Sequence, residues 1–362
     1  MKITDYTPPG RMPSAGFNPV AEPPQPPEMP AEVHAAFSMT QLLERSVKAM
    51  NRNYENMLKC PTEIAKGLEG GAAEALAQHF TSAEFVEQIQ AKRIRSQMWT
   101  QQIKQCGMVF THCLETLPME QRQQLYDEQN RILGELRRMP VPDEIADEFD
   151  ARLNSSNDFF DKLLELIDLI KNGYLAGYEH IIAAYSDFFA DFNAEITAKM
   201  KDWIEAVEDG KEIKLNVGAL RTALTNLLNK YKHPNPLAVL FPKPGGDGAS
   251  KEEAEKWLKA LGLPDRCLQD KGDGTFCVVM DIGPLSTMLG SLPQWGNTVT
   301  WDTAKFQAWQ TGFNAQEERM KNTLQSFTQK YSNANAYHDN FNKTLSSHLN
   351  QFADMLKAML NF

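Results

Sequence analysis

The stretch 160–203, FDKLLELIDLIKNGYLAGYEHIIAAYSDFFADFNAEITAKMKDW, decides the fold. Apolar or aromatic residues fall at Phe160, Leu163, Ile167, Ile170, Tyr174, Tyr178, Ile181, Tyr185, Phe188, Phe192, Ile196, Met200 and Trp203. Every interval is three or four residues, the period of one helix face, so the spacing predicts one continuous helix over 157–204. Gly173 and Gly177 interrupt it at about 1 kcal/mol each relative to Ala, which points to close approach of another helix or a slight bend.

A stripe of this length needs a partner, and the C-terminus supplies one. Asp302 is a candidate N-cap. The apolar run then passes through Phe306, Trp309, Phe313, Met320, Leu324, Phe327, Tyr331, Ala334, Phe341, Leu345, Phe352, Met355 and Met359, with polar breaks at Gln316–Glu317 and His338. Burying each seam side chain is worth roughly 1.5–3 kcal/mol before entropy is charged. The two stripes are therefore expected to pair as a coiled coil.

The chain between them, 206–301, has another character. Ile213 and Leu215 suggest a short strand, 217–231 a helix and Leu237–Phe241 a strand. Ser250 with Glu253 forms a capping-box pattern for a helix that ends near Gly262 and Pro264. Turn chemistry at Lys271–Gly274 leads into a strand over Phe276–Ile282, and Val299 adds an edge strand. A compact insert brings its ends together, so the two long helices run antiparallel with the insert at one end. If they are flush there, the second overhangs the first by about a dozen residues, on the order of 18 Å. That overhang carries Phe352, Met355, Leu356, Met359, Leu360 and Phe362, and is either covered by 140–156 or kept for a partner.

Upstream, 36–138 reads as helical, with segments near 37–59, 82–115 and 119–138 and a looser connection around Gly67, Gly70 and Gly71. A helical hairpin is the economical packing, and Pro140–Val141–Pro142 separates it from the linker and first long helix, 139–205. Nine of the twenty prolines lie within residues 1–30, so 1–35 reads as a disordered leader, either a plain tail or an uncleaved export signal. The predicted class is thus mainly α with a small α/β insert. The segments are the leader 1–35, the hairpin 36–138, the linker and first coiled-coil helix 139–205, the insert 206–301 and the second coiled-coil helix 302–362.

Composition narrows the function. The 362 residues carry a net charge of −10, which speaks against nucleic acid as a partner. No apolar run approaches the roughly 18–20 residues of a membrane span, and the N-terminus lacks a Sec-type signal pattern. Five scattered cysteines make no disulfide framework; Cys267 and Cys277 flank a turn, where a reduced buried pair is the default and a disulfide the alternative. No H-E-x-x-H occurs, and Cys106, His112 and Cys113 on one helix suit packing better than a metal. Pro244–Gly248 lacks phosphate-loop spacing, and Asp270, Asp273 and Gly274 lack EF-hand spacing. No enzyme, cofactor or metal site is expected. Tyr174, Tyr178, Tyr185 and Phe188 read first as seam core, and otherwise as an apolar groove for a sterol-like acid.

The run Ala304–Gln310, Gly312–Phe313, Ala315–Glu318, Met320–Lys321 and Thr323–Gln325, continued by Thr328–Asn335, resembles the C-terminal helix of the type III secretion needle-tip proteins, the IpaD/SipD/BipD family. Tyr174–Leu175, Tyr178–Glu179, Val239–Pro242, Trp257–Leu258 and Cys267–Leu268 extend the likeness over about 174–337. The resemblance implies a secreted protein at the needle tip that contacts the needle filament subunit, the hydrophobic translocators and further copies of itself, mainly as a pentamer, with bile salts as a ligand of some members. It also implies that the N-terminal hairpin acts as a self-chaperone, masking coiled-coil surface until partner contact shifts the balance. Candidate contacts with needle or sister copies are Gln329, Lys330, Asn333 and Asn335 in the matching run, together with the six overhang residues. A bile-salt sensor as the primary role is the alternative.

Overall fold

The computed structural model describes residues 38–59, 72–246 and 248–361. The expected leader, Cys60, the glycines at 67, 70 and 71, and Phe362 lie outside them.

The C-terminal helix α12 is built as its sequence asks, and the elements below take their numbers in chain order. The Asp302 carboxylate accepts from the Lys305 amide at 2.8 Å, and the helix runs Thr303–Leu360 without a break, 58 residues or about 87 Å. Its partner is helix α6 (Phe159–Asp168), a π-helical turn over Leu169–Leu175 and helix α7 (Ala176–Glu195). Ring centroids of Phe160 and Phe352 lie 6.5 Å apart, Tyr174 and Tyr337 5.8 Å, and Tyr185 and Phe327 5.0 Å. As one number rises the other falls by nearly the same amount, so the pair is an antiparallel coiled coil.

The first helix differs from the expected uninterrupted rod in two places. The π turn adds a residue to one turn, and Lys171 within it is buried. At Ile196 the backbone leaves the helix (φ −116°, ψ −68°) and passes through a 3₁₀ turn to the short helix α8 (Met200–Trp203). Ile204 and Glu205 then belong to strand β1 (Ile204–Val207), so the insert begins earlier than 206.

The insert holds two antiparallel three-stranded sheets. β1, β2 (Glu212–Leu215) and β6 (Val299–Asp302) form the first, in the order β1-β2-β6. The strand that enters the insert and the strand that leaves it flank the same central strand, and β6 runs directly into α12. Both outer strands run antiparallel to β2 and therefore parallel to each other, so the sheet ties the two ends of the insert together while the reversal of direction is made outside it. β3 (Val239–Phe241), β5 (Phe276–Val279) and β4 (Leu268–Asp270) form the second, in the order β3-β5-β4. Helices α9 (Val217–Lys230), α10 (Lys251–Leu261) and α11 (Gly283–Gly290) complete the insert. Ser250 caps α10 by accepting from the Glu253 amide at 3.1 Å, and Gly262 ends it at φ 70°. The α10 residue Trp257 stacks on Phe241 at 4.4 Å and also covers Gly177, where a Cβ would lie 2.7 Å from the indole. Cys267 and Cys277 are both free and buried, and Gln269 rather than Cys267 stands opposite Cys277.

At the other end, helices α1 (Met39–Leu58) and α3 (Ala83–Thr116) pack antiparallel. Tyr54 meets Trp99 with ring centroids 5.3 Å apart, and the Asn53 amide donates to Gln102 at 3.3 Å. The short helix α2 (Ala73–Thr81) leads into α3. Helix α4 (Met119–Arg137) lies instead along α12, where His348 meets Glu135 at 3.3 Å. Helix α5 (Ala146–Leu153) sets Phe149 against Phe341 at 6.2 Å.

Candidate functional site

The second half of α12 buries an unusual set of side chains. In the first half the buried residues are Phe306, Phe313, Met320, Leu324, Phe327 and Thr328, whose hydroxyl donates to the Leu324 carbonyl of its own helix at 2.9 Å; in the second half Asn335, His338, Asn342 and Ser346 join the apolar ones. Buried polar groups are tolerated where they find partners, and here α1 and α3 supply several of them. The Lys92 ammonium donates to Asn335 Oδ1 at 2.7 Å and pairs with Asp339 at 3.3 Å. The Trp99 indole N–H donates to Asn342 Oδ1 at 2.9 Å. Asn51 and Asn350 exchange two amide hydrogen bonds of 2.8 and 2.9 Å. Lys357 pairs with Glu44, and Arg93 on α3 reaches across to Glu179 on α7.

Burial sets the protonation chemistry of this face. It pushes the Glu179 carboxyl up from its ordinary value against the pull of Arg93. It pushes His338 down, although the Asp339 carboxylate accepts from its Nδ1 at 2.9 Å, and it pushes Lys171 down as well. His338 Nε2 is buried without a partner.

Below this polar band sits an aromatic clamp. Phe352 meets Phe110 of α3 at 5.6 Å and Phe159 and Phe160 of α6 at 6.1 and 6.5 Å. Gly107 lets α3 approach; a Cβ there would lie 2.8 Å from Phe160 Cγ. The overhang expected at this end is therefore covered, and not by 140–156 as one alternative had it. Phe352 and Leu356 are fully buried, and Met355, Met359 and Leu360 are half-buried against the core. The reason is geometric: a two-helix count leaves the end bare, but α1 and α3 reach it, with Thr40 donating to Asn361 at 3.4 Å.

The other candidates separate. Asn335 belongs to the covered face. Gln329 is exposed and donates to Asn333 at 3.0 Å. Lys330 and Asn333 join Tyr174 and Tyr178 in lining a cleft of about 600 Å³, together with Glu144, Lys256 and Lys259. Tyr178 donates its hydroxyl to Glu144 at 2.5 Å, and burial with that carboxylate raises its pKa. Tyr185 and Phe188 do not reach this cleft: they are buried in the seam, against Phe327 and Tyr231 respectively.

Residues 41–360 match the family described as type III secretion systems tip complex components. The chain belongs to that family. The cell invasion protein SipD of Salmonella typhi is 44% identical over 211 residues, 57% of this chain and 62% of that protein. The invasin IpaD of Shigella flexneri is 38% identical over 211 residues, 58% of this chain and 61% of its own length. The match thus spans about three-fifths of these relatives. A crystal structure from Chromobacterium violaceum, described as a pathogenicity island 1 effector protein, is 27% identical, covers 88% of this chain and 100% of that one, and superposes with a TM-score of 0.62. Among the described residues no helix is long and apolar enough to cross a membrane, and no three His, Cys, Asp or Glu side chains gather as a metal site.

For a tip-complex component, the residues that sequence reasoning passed over are Lys92, Trp99, His338, Asn342 and Asn350. A signal was present. Asn335 and Asn342 stand seven residues apart and Asn350 eight further on, close to the repeat of one coiled-coil face. His338 was read as a break in the stripe rather than as part of a second, polar face.

Proposed function

We propose that this tip-complex component is a non-enzymatic cap, secreted by the type III system and held at the needle tip. It contacts the needle filament subunit and sister copies through the second half of α12, and offers a platform to the hydrophobic translocators. In this reading α1 and α3 occupy that face before assembly as a built-in chaperone, and partner contact displaces them. The observation that carries it is the polar character of the covered face. Asn335, Asn342 and Asn350 hold the hairpin through hydrogen bonds that another polar surface or water can replace, whereas a purely apolar seam would resist opening. A short thiol crosslinker joining Asn51→Cys to Asn350→Cys tests it. The crosslinked protein is expected to remain monomeric and to fail in secretion control, and the uncrosslinked double variant to behave as wild type. Normal assembly of the crosslinked protein would overturn the masking role.

The cleft lined by Tyr174 and Tyr178 favours a second reading, a bile-salt-responsive sensor. Its volume suits a sterol acid, and Lys259 and Lys330 offer cations to a carboxylate, Lys256 being paired with Asp147. Deoxycholate is expected to protect these lysines from acetylation; a flat calorimetric titration would remove this reading.

A further inference from the structure

A second cleft, of about 570 Å³, opens in the insert between the end of α9, the β3-β5-β4 sheet, the start of α11 and the first half of α12. Its chemistry is opposite in sign to the chain as a whole. Lys232, His233, Arg266 and Arg319 line it, and the carboxylate among them is Asp281. Asp281 is buried and fully engaged. It accepts from Arg266 Nε at 3.1 Å, from Arg266 Nη2 at 2.8 and 2.9 Å, from Arg319 Nη2 at 3.2 Å and from the Gly283 amide at 2.9 Å.

One carboxylate thus orients two guanidinium groups and neutralises only one of them. Both arginine side chains remain more than half exposed, at 55% and 54%. Neither Nη1 has a protein acceptor among the described residues, and the Lys232 ammonium is likewise without one. Arg266 and Arg319 come from different elements, a 3₁₀ turn before β4 and α12, so their convergence is a product of the fold rather than of a charged run. A guanidinium fixed through one edge presents the other edge ready-made, so the entropy of placing it is already spent. The start of α11 adds the partial positive charge of a helix N-terminus to the same wall.

We propose that this cleft binds a tetrahedral oxyanion, a phosphate or sulfate group carried on a sugar or a lipid headgroup. A compact dianion meets the two arginine edges and Lys232 at once, whereas a single carboxylate leaves one cation unmatched. The site lies in the insert, away from the face that α1 and α3 cover, and stands independently of the capping role.

The test is amide chemical-shift perturbation in the full-length protein. Sodium sulfate replaces sodium chloride at constant ionic strength, and Gly283, Ser286 and Thr287 are followed. Saturable shifts confined to these residues are expected. Arg266→Gln is expected to weaken sulfate binding about tenfold and Lys232→Gln about two- to fivefold. Lys232 is exposed and makes no side-chain hydrogen bond or ion pair among the described residues, so its variant is expected to keep the fold and the test stands even if Arg266→Gln destabilises the insert. Lys343→Gln, an exposed charge on the far half of α12, is expected to change nothing. Absence of saturable shifts, or equal weakening by Lys232→Gln and Lys343→Gln, would overturn the site. Glucosamine 6-phosphate and vesicles of one quarter phosphatidylglycerol in phosphatidylcholine distinguish the carriers. Competition with sulfate by the sugar assigns a saccharide phosphate, and competition by the vesicles assigns a lipid headgroup.

Discussion

The two halves of the coiled coil are buried by different means. Beside the insert, Tyr185, Phe188, Phe192, Leu324 and Phe327 make an aromatic and aliphatic seam, to which the one polar side chain that α12 buries, Thr328, is bonded only within its own helix. At the opposite end the same helix meets α6 with apolar side chains and meets α1 and α3 with a mixed face, on which Asn335, Asn342 and Asn350 stand beside Phe352. Apolar burial gains strength with area and has no preferred replacement. Hydrogen bonds exchange one for another at small net cost, provided a partner is at hand. On the proposed function, this contrast makes the insert end the permanent structure and the hairpin end the surface that changes partners.

The largest expected effect compares the two halves directly. Phe327→Ala and Phe352→Ala each remove a fully buried ring and should each destabilise by about 3–5 kcal/mol. Urea denaturation should show similar losses. Hydrogen exchange should separate them: only Phe352→Ala, which empties the clamp on Phe110, is expected to speed exchange throughout α1 and α3. Equal speeding by Phe327→Ala would mean that the halves are not distinct units.

A smaller pair sharpens the same contrast. Gly107→Ala drives a methyl into Phe160, and Gly177→Ala drives one into Trp257. Each overpacking costs about 1–3 kcal/mol, set against a helix-propensity gain of about 1 kcal/mol. Limited proteolysis is expected to cut first within α3 in the one variant and around α10 in the other. Cleavage at the same place in both would show that the hairpin is no looser than the insert.

These sites also show what the sequence made legible. Intervals of three and four located both long helices, because a buried face must repeat with the turn of the helix. The antiparallel order followed from an insert whose ends meet, and β1 and β6 flank β2 in one sheet as that requires. The spacing was silent on what covers each stripe. Phe352 and Leu356 looked bare because the count of lengths involved two helices, and α3 reaches the same end. The π turn was equally hidden: one added residue leaves a mean interval near 3.6 almost unchanged, yet it accompanies the burial of Lys171. Tyr174 and Tyr178 came together with Lys330 and Asn333 only through the fold, while Tyr185 and Phe188, on the same stripe, stayed in the seam.

The polar lock itself can be opened one bond at a time. Trp99→Phe leaves Asn342 Oδ1 buried without its donor, and the expected loss is about 1–3 kcal/mol. Adding Asn342→Leu should recover most of it, since two apolar groups no longer leave a polar atom stranded. A double-mutant cycle by urea denaturation reads the coupling. Failure of the second change to restore stability would mean that the pair contributes packing rather than a hydrogen bond.

Acid supplies the mildest probe. His338 is buried and its pKa is held down, chiefly by burial and secondarily by the nearby Lys92 and Lys171, with Asp339 pulling the other way. The unfolded chain takes up its proton near pH 6.5 while the folded chain does not. The stability contributed by the neutral ring is therefore complete above that pH and declines below it, by at most about 1.4 kcal/mol per pH unit. His180, which meets the Val239 carbonyl at 3.0 Å beside the insert, is also lowered by burial and works in the same sense. Glu179, raised by burial, gains a proton in the folded state on the same descent and opposes the slope. Hydrogen exchange at pH 7.5 and 5.5 should thus find α1 and α3 loosened by acid in the wild type and in His180→Gln, but less so in His338→Gln. If His180→Gln protects the hairpin as well as His338→Gln does, acid acts on the whole fold, and the polar face has no separate sensitivity.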